Sequence, residues 1–299
     1  MALSSSTVLY FIELVIYLAL FPTIAYLGRR HGKTGILGFL PLSLFAALRI
    51  VSDILFIAQR NRTTPSTAVS IVSSIGLSPL LLALAGLIHE QHVYLVNATC
   101  PPDRAKTVKR WLWVAQAFFH TGAVAGIGIV IAGTVNLIDD LEPKSGATSN
   151  DIKKDENLRE AGSIVLLVVW INLLAYAIWL CKTIVSRRSP VRSTLRWFSL
   201  SIVVAATFVG VRALYGVVYS FDHNDATLNP VTGSFAVKLV LIVLVQLLAV
   251  MSLVAGAWKT KDIKTIFRNW ESGRRSPNEG FLLLPSDAAV PKNTAPAEV

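Results

Sequence analysis

Charge is what this sequence has least of. Asp, Glu, Lys and Arg make up 15% of its 299 residues, against about 25% in an ordinary soluble domain. With 53% of residues hydrophobic, a soluble core could not hide the apolar surface, which excludes a water-soluble globular fold. Strand-like alternation of apolar and polar residues is also missing. That excludes a transmembrane barrel and leaves helices as the only way for the apolar runs to satisfy their own backbone. Residues 1–6 contain no Lys or Arg, so the first apolar run does not read as a cleaved signal peptide. Acids are scarce beside bases, 18 against 28, for a net charge of +10. In an apolar chain such an excess flanks spans on a cytosolic face, whereas nucleic-acid binding would want a basic soluble domain, so no nucleic acid is expected as a partner.

What is present is a series of long apolar runs. A helix rising about 1.5 Å per residue needs about 20 of them to cross a hydrocarbon layer about 30 Å thick. Seven stretches qualify: 7–27, 35–59, 67–88, 111–133, 162–181, 197–219 and 232–258. The expected fold is all-α, a bundle of seven transmembrane helices over residues 1–258. Arg29, Arg30, His31 and Lys33 follow the first span. The first, third and fifth loops and the tail hold 19 Lys and Arg, the opposite side holds 6, and Arg49, Arg212 and Lys238 lie inside spans. The positive-inside rule then puts the N-terminus outside and the C-terminus in the cytosol. The segment 136–161, with Asp139, Asp140, Glu142, Asp151, Asp155, Glu156 and Glu160, is expected as a long loop facing outside or a lumen. Only two cysteines occur, Cys100 and Cys181; both fall on the cytosolic side, where a structural disulfide is not expected. The sequon at Asn61 falls outside, near the bilayer, and that at Asn97 inside, so Asn61 is the one glycosylation candidate.

Ionisable groups at bilayer depth cost about 2.5–3.5 kcal/mol each on insertion scales, so each needs a partner or a wet cavity. Glu13, Asp53, Arg212 and Lys238 all come out roughly 10 Å below the outer edge of their spans, and Arg49 lies one turn deeper on the face of Asp53. Tyr10 and Tyr17 flank Glu13, and Tyr215 and Tyr219 share the face of Arg212. Two acids and three bases in one layer suit a pocket for an acidic or phosphate-bearing amphiphile, with Glu13, Arg49, Asp53, Arg212, Tyr215 and Lys238 as its candidate ligand-binding residues. Two other readings stand beside it. One is an ion-pair network that fixes helix register, Asp53 with Arg49 and Glu13 with Lys238; the other is a proton or ion relay.

Familiar chemistries fail on spacing. His89-Glu90-Gln91-His92 sets its histidines three apart where the helical zinc-protease pattern needs four, and it falls at a membrane edge, so no metal site is expected. A retinal Schiff base on Lys238 would sit too near the surface, without a carboxylate counter-ion on the third helix. The last span has no His for a membrane hydrolase, and no Walker loop or dinucleotide fingerprint occurs; no cofactor is expected. Ser70, Ser74 and Ser78, and Gly122 with Gly126, read as small residues at helix contacts. Pro79 is expected to kink the third helix, and His120 reads as a hydrogen-bonded core residue.

Beyond 258 the composition turns polar. Ile263, Ile266, Phe267 and Trp270 recur at helical spacing among Lys259, Lys261, Lys264 and Arg268, so residues 259–272 read as an amphipathic helix on the anionic inner leaflet. Residues 273–299 read as a disordered cytosolic tail. In it Glu279, Leu283 and Leu284 match an acidic dileucine sorting pattern, consistent with an endosomal or vacuolar membrane beside the plasma membrane as addresses.

Several of these motifs together resemble a family of uncharacterised fungal seven-helix membrane proteins, a domain of unknown function: Arg30-His31-Gly32, Phe45-x3-Arg49-Ile50-x-Ser52-Asp53, Gly76-Leu77-Ser78-Pro79-Leu80-Leu81-Leu82, and Arg212-x2-Tyr215. The likeness covers most of the span region and not the tail, and the family carries no established activity. It is loosely similar to fungal lipid-translocating and receptor-like seven-helix proteins, without a diagnostic motif of either. The leading expectation is a non-enzymatic membrane protein that binds, senses or moves a small amphiphile. Its partners would be membrane lipids, that ligand, and a cytosolic protein at the basic loops. The alternative is an intramembrane enzyme acting on a lipid or terpenoid with Glu13 and Asp53 as its acids.

Overall fold

A computed structural model describes residues 5–59, 76–140, 148–186, 192–222, 226–228 and 233–266. The described residues hold seven helices long and apolar enough to cross a membrane, which makes this a multi-pass membrane protein, and they contain no strand. In chain order these are α1 (Ser5–His31), α2 (Ile36–Ala58), α3 (Leu77–Thr99), α4 (Pro102–Asp140), α5 (Ser149–Ser186), α6 (Arg192–Phe221) and α7. The last is built of three consecutive pieces, Phe235–Val237, a π-helical stretch Lys238–Leu244, and Val245–Lys259. A short 3-10 turn, Ala226–Leu228, lies between α6 and α7.

α3 is the axis. Its most apolar window is 89% buried within the protein, against 22–50% for the other six, and it packs on α2, α4, α5 and α6. Its neighbours turn apolar faces to the lipid instead: Phe11, Leu18, Leu40, Trp113, Phe118 and Trp179 are exposed. The tightest crossing joins α2 to α3. A Cβ on Gly86 would stand 2.2 Å from the Leu37 carbonyl oxygen and 2.4 Å from the Gly38 nitrogen, so only glycine lets the two backbones touch. Gly122 and Gly126 likewise face α5, against Val169 and Leu166.

Two expectations about the elements are corrected, the end of the third span and the long loop at 136–161. The third span, read as 67–88, is described as Leu77–Thr99, with residues 60–75 outside the description. Val93, Tyr94, Leu95 and Val96 are all buried, and a helix surrounded by protein can carry Glu90 and Gln91 at a depth where lipid contact would forbid them. Pro79 lies in the first turn of the described helix, and the residues before Gly76, on which the expected kink depends, lie outside the described residues. The segment 136–161 is not one long loop: α4 continues to Asp140 and α5 starts at Ser149. A capping box starts α5, since the Asp151 N–H donates to Thr148 Oγ1 at 3.4 Å and the Thr148 N–H donates to Asp151 Oδ2 at 3.0 Å.

After Lys259 the chain turns at Thr260 before a last helical stretch to Ile266. Ile263 is fully buried, and Asp262 bridges to Arg30 at 3.7 Å. Phe267, Trp270 and the tail, with Glu279, Leu283 and Leu284, lie outside the described residues, as do Asn61, Ser70 and Ser74.

Candidate functional site

Successive helices of the α1–α2–α3 group run antiparallel: Gly28 late in α1 faces Phe39 early in α2, Glu13 early in α1 meets Arg49 late in α2, and Gly38 early in α2 packs on Leu87 of α3 while Thr34 just before it meets Tyr94 further along α3. Residues near the start of α1 therefore share a level with residues near the end of α2. Glu13, Arg49 and Asp53 come together there, all buried. Arg49 donates through both Nε, at 2.8 Å, and Nη2 to Glu13 Oε1. This corrects the register-network reading, in which Glu13 pairs with Lys238 and Arg49 with Asp53. Asp53 lies within electrostatic reach of Arg49, yet neither of its carboxylate oxygens has a hydrogen-bond partner, and the residue is completely buried.

Around this core the tyrosines act as walls. Tyr10 stacks on Phe56 with ring centroids 4.2 Å apart, and Tyr17 meets Phe45 edge-on at 5.8 Å while its hydroxyl stays unpartnered. On α6, Arg212 lies over the Tyr215 ring at 5.1 Å, and the Tyr215 hydroxyl donates to the Leu228 carbonyl at 2.6 Å. That contact ties the α6 side of the layer to the short turn before α7. Arg212 is buried, its Nε has no partner, and it forms no ion pair with any described carboxylate. It also feels the like charge of Arg49.

Lys238 stands apart. It opens the π-helical stretch three residues after Phe235, about 5 Å along the helix. Its side chain is buried but shows no ion pair among the described residues.

Gln246 is not singled out by the sequence, nor is the pairing of His31 with Glu90, two residues that read there only within a flanking basic motif and a failed zinc pattern. Gln246 on α7 is 1% exposed with both amide atoms unpartnered. At the opposite end of the bundle, His31 Nδ1 lies 2.8 Å from Glu90 Oε1 and its Nε2 3.2 Å from the Ala257 carbonyl. A carbonyl only accepts, so Nε2 carries a proton and the Nδ1–Oε1 contact holds a second. Beside it Gln91 donates to the Leu195 carbonyl at 3.0 Å and to Ser199 Oγ. This second network clamps α1, α3, α6 and α7 together. The signal that could have found it is the buried apolar run from Val93 to Val96, which continues the helix past the two polar residues. His120 stays within its own helix, near Gln116 Nε2 at 3.0 Å.

The Arg49–Asp53 and Arg212–Tyr215 motifs carried the resemblance to a family of unknown function, and comparison with known proteins agrees that far. Residues 3–263 match the family described as Domain of unknown function (DUF7702). No curated protein and no solved structure matches the chain.

Proposed function

We propose that this chain, which belongs to the DUF7702 family, binds a small amphiphile with an acidic headgroup in the layer formed by Glu13, Arg49, Asp53, Arg212, Tyr215 and Lys238. The observation that carries the reading is Arg212: a buried guanidinium resting on Tyr215, with no described carboxylate to neutralise it. A buried charge without a partner costs several kcal/mol, and a carboxylate or phosphate brought to it by a ligand removes that cost. Arg49 cannot serve in the same way because Glu13 already occupies it. Asp53, whose oxygens accept nothing within the protein, favours a ligand that also presents a hydroxyl donor. Lys238, near the start of α7, would meet the headgroup on entry.

The test uses a dansyl-labelled long-chain fatty acid and its methyl ester with the full-length protein in detergent. The acid should bind saturably and the ester at least tenfold more weakly. Arg212→Gln should lose the preference, and Arg212→Lys, which keeps the charge and guards against misreading a folding defect, should retain most of it. Equal affinity for acid and ester, or an Arg212→Gln protein that still prefers the acid, would overturn the assignment.

A further inference from the structure

A second site lies at the other end of the bundle and does not depend on the first. Between the end of α1 and the start of α2 a groove of about 560 Å³ opens outward, within the roughly 300–1,000 Å³ range of small-molecule sites. Its rim carries Arg29, Lys33 and Lys264, all exposed, and its floor is formed by Ala25, Phe39 and Leu40. Three separate segments deliver the three cations: the last turn of α1, the α1–α2 link, and the stretch after α7. Gly32 makes their meeting geometrically feasible. Its φ of +76° turns the link back on itself, and Lys264 Nζ lies 3.2 Å from where a Cβ on Gly32 would stand. The neighbouring acid, Asp262, is engaged with Arg30, and none of the three rim cations has an ion pair among the described residues. The apolar floor continues into lipid-facing side chains, with Leu40 66% and Leu44 52% exposed.

We infer that this groove holds an anionic phospholipid of the adjacent leaflet, its phosphate among Arg29, Lys33 and Lys264 and an acyl chain along the α1–α2 seam. Cations at the membrane edge supply the headgroup attraction, and the continuity of the floor with the lipid-facing surface selects a lipid over a soluble anion. In binding, the lipid would tie the segment after α7 to α1, adding to the Arg30–Asp262 contact.

The experiment is native mass spectrometry of the full-length protein in detergent with phosphatidylserine or phosphatidylcholine, alongside thermal unfolding with each lipid and with inorganic phosphate. The expected result is at least threefold greater retention of phosphatidylserine. Arg29→Gln/Lys33→Gln/Lys264→Gln should abolish the preference. Ala25→Trp, which fills the floor without touching a charge, should lower phosphatidylserine retention at least threefold, and it decides the matter alone if the triple variant fails to fold. Equal retention of the two lipids, or a triple variant that behaves as the parent, would refute the site. So would stabilisation by inorganic phosphate equal to that by phosphatidylserine and indifferent to Ala25→Trp, which would make the groove a phosphate site.

Discussion

At the scale of single residues, the Glu13–Arg49 pair decides whether the charged layer holds together. Both groups are buried, and Arg49 spends two donors on one oxygen of Glu13. Removing one partner leaves the other charge stranded, a cost of about 3–5 kcal/mol for a buried pair. Glu13→Gln and Arg49→Gln should each lower the unfolding temperature sharply. Glu13→Gln/Arg49→Gln should be far less damaging than the two effects added, because it removes both desolvated charges together; additive losses would show that the pair is not coupled. Depth arithmetic on the sequence put Glu13, Arg49, Asp53, Arg212 and Lys238 in one layer; the structure brings the first three into one cluster with Arg49 in electrostatic reach of Arg212, while Lys238 shows no ion pair among the described residues. Depth alone could not choose the partner of Glu13. Residue counts along a helix give depth but not the direction a side chain faces, and Lys238 sits at the head of a π-helical stretch, where the usual rotation per residue no longer applies.

The crossing of α2 over α3 is the most demanding contact at the scale of elements. A methyl on Gly86 would collide with backbone atoms of Leu37 and Gly38, which cannot swing aside as a side-chain end could. Gly86→Ala should therefore force the two helices apart and lower the unfolding temperature markedly. Gly128→Ala, on α4, meets nothing within 4 Å and should be neutral or slightly stabilising, since alanine gains about 1 kcal/mol over glycine inside a helix. Similar losses for both would mean that the close approach at Gly86 is not what the glycine serves. The number and type of helices were legible from apolar run length. The extent of α3 was not, because hydropathy reports the solvent of a membrane helix and α3 is surrounded by protein. The ends of α4 and α5 were missed for the converse reason: beyond the bilayer a helix turns polar, and its sequence reads like a loop.

Across the whole molecule, α4 and α5 run for 39 and 38 residues, nearly 60 Å at about 1.5 Å per residue, twice the hydrocarbon thickness. The excess is divided unequally by charge. Arg104, Lys106, Lys109 and Arg110 lie in the first turns of α4, while Asp151, Asp155, Glu156 and Glu160 lie in the first turns of α5, at the opposite end of the hairpin. The positive-inside rule assigns the acidic end to the outside or lumen. The helical extension tests that assignment better than the natural sequon does, because Ser149 stands thirteen residues before the apolar span at Gly162, about 20 Å along the helix. A site beyond that tip is set well away from the apolar span. Gly146→Asn completes a sequon with Thr148 at the acidic end, and Val191→Asn completes one with Ser193 at the basic end. Translated in microsomes, the first should gain a glycan removable by endoglycosidase and the second should stay unmodified. The reverse pattern would place the N-terminus of α1 in the cytosol and show that the excess of Lys and Arg does not set this protein's orientation.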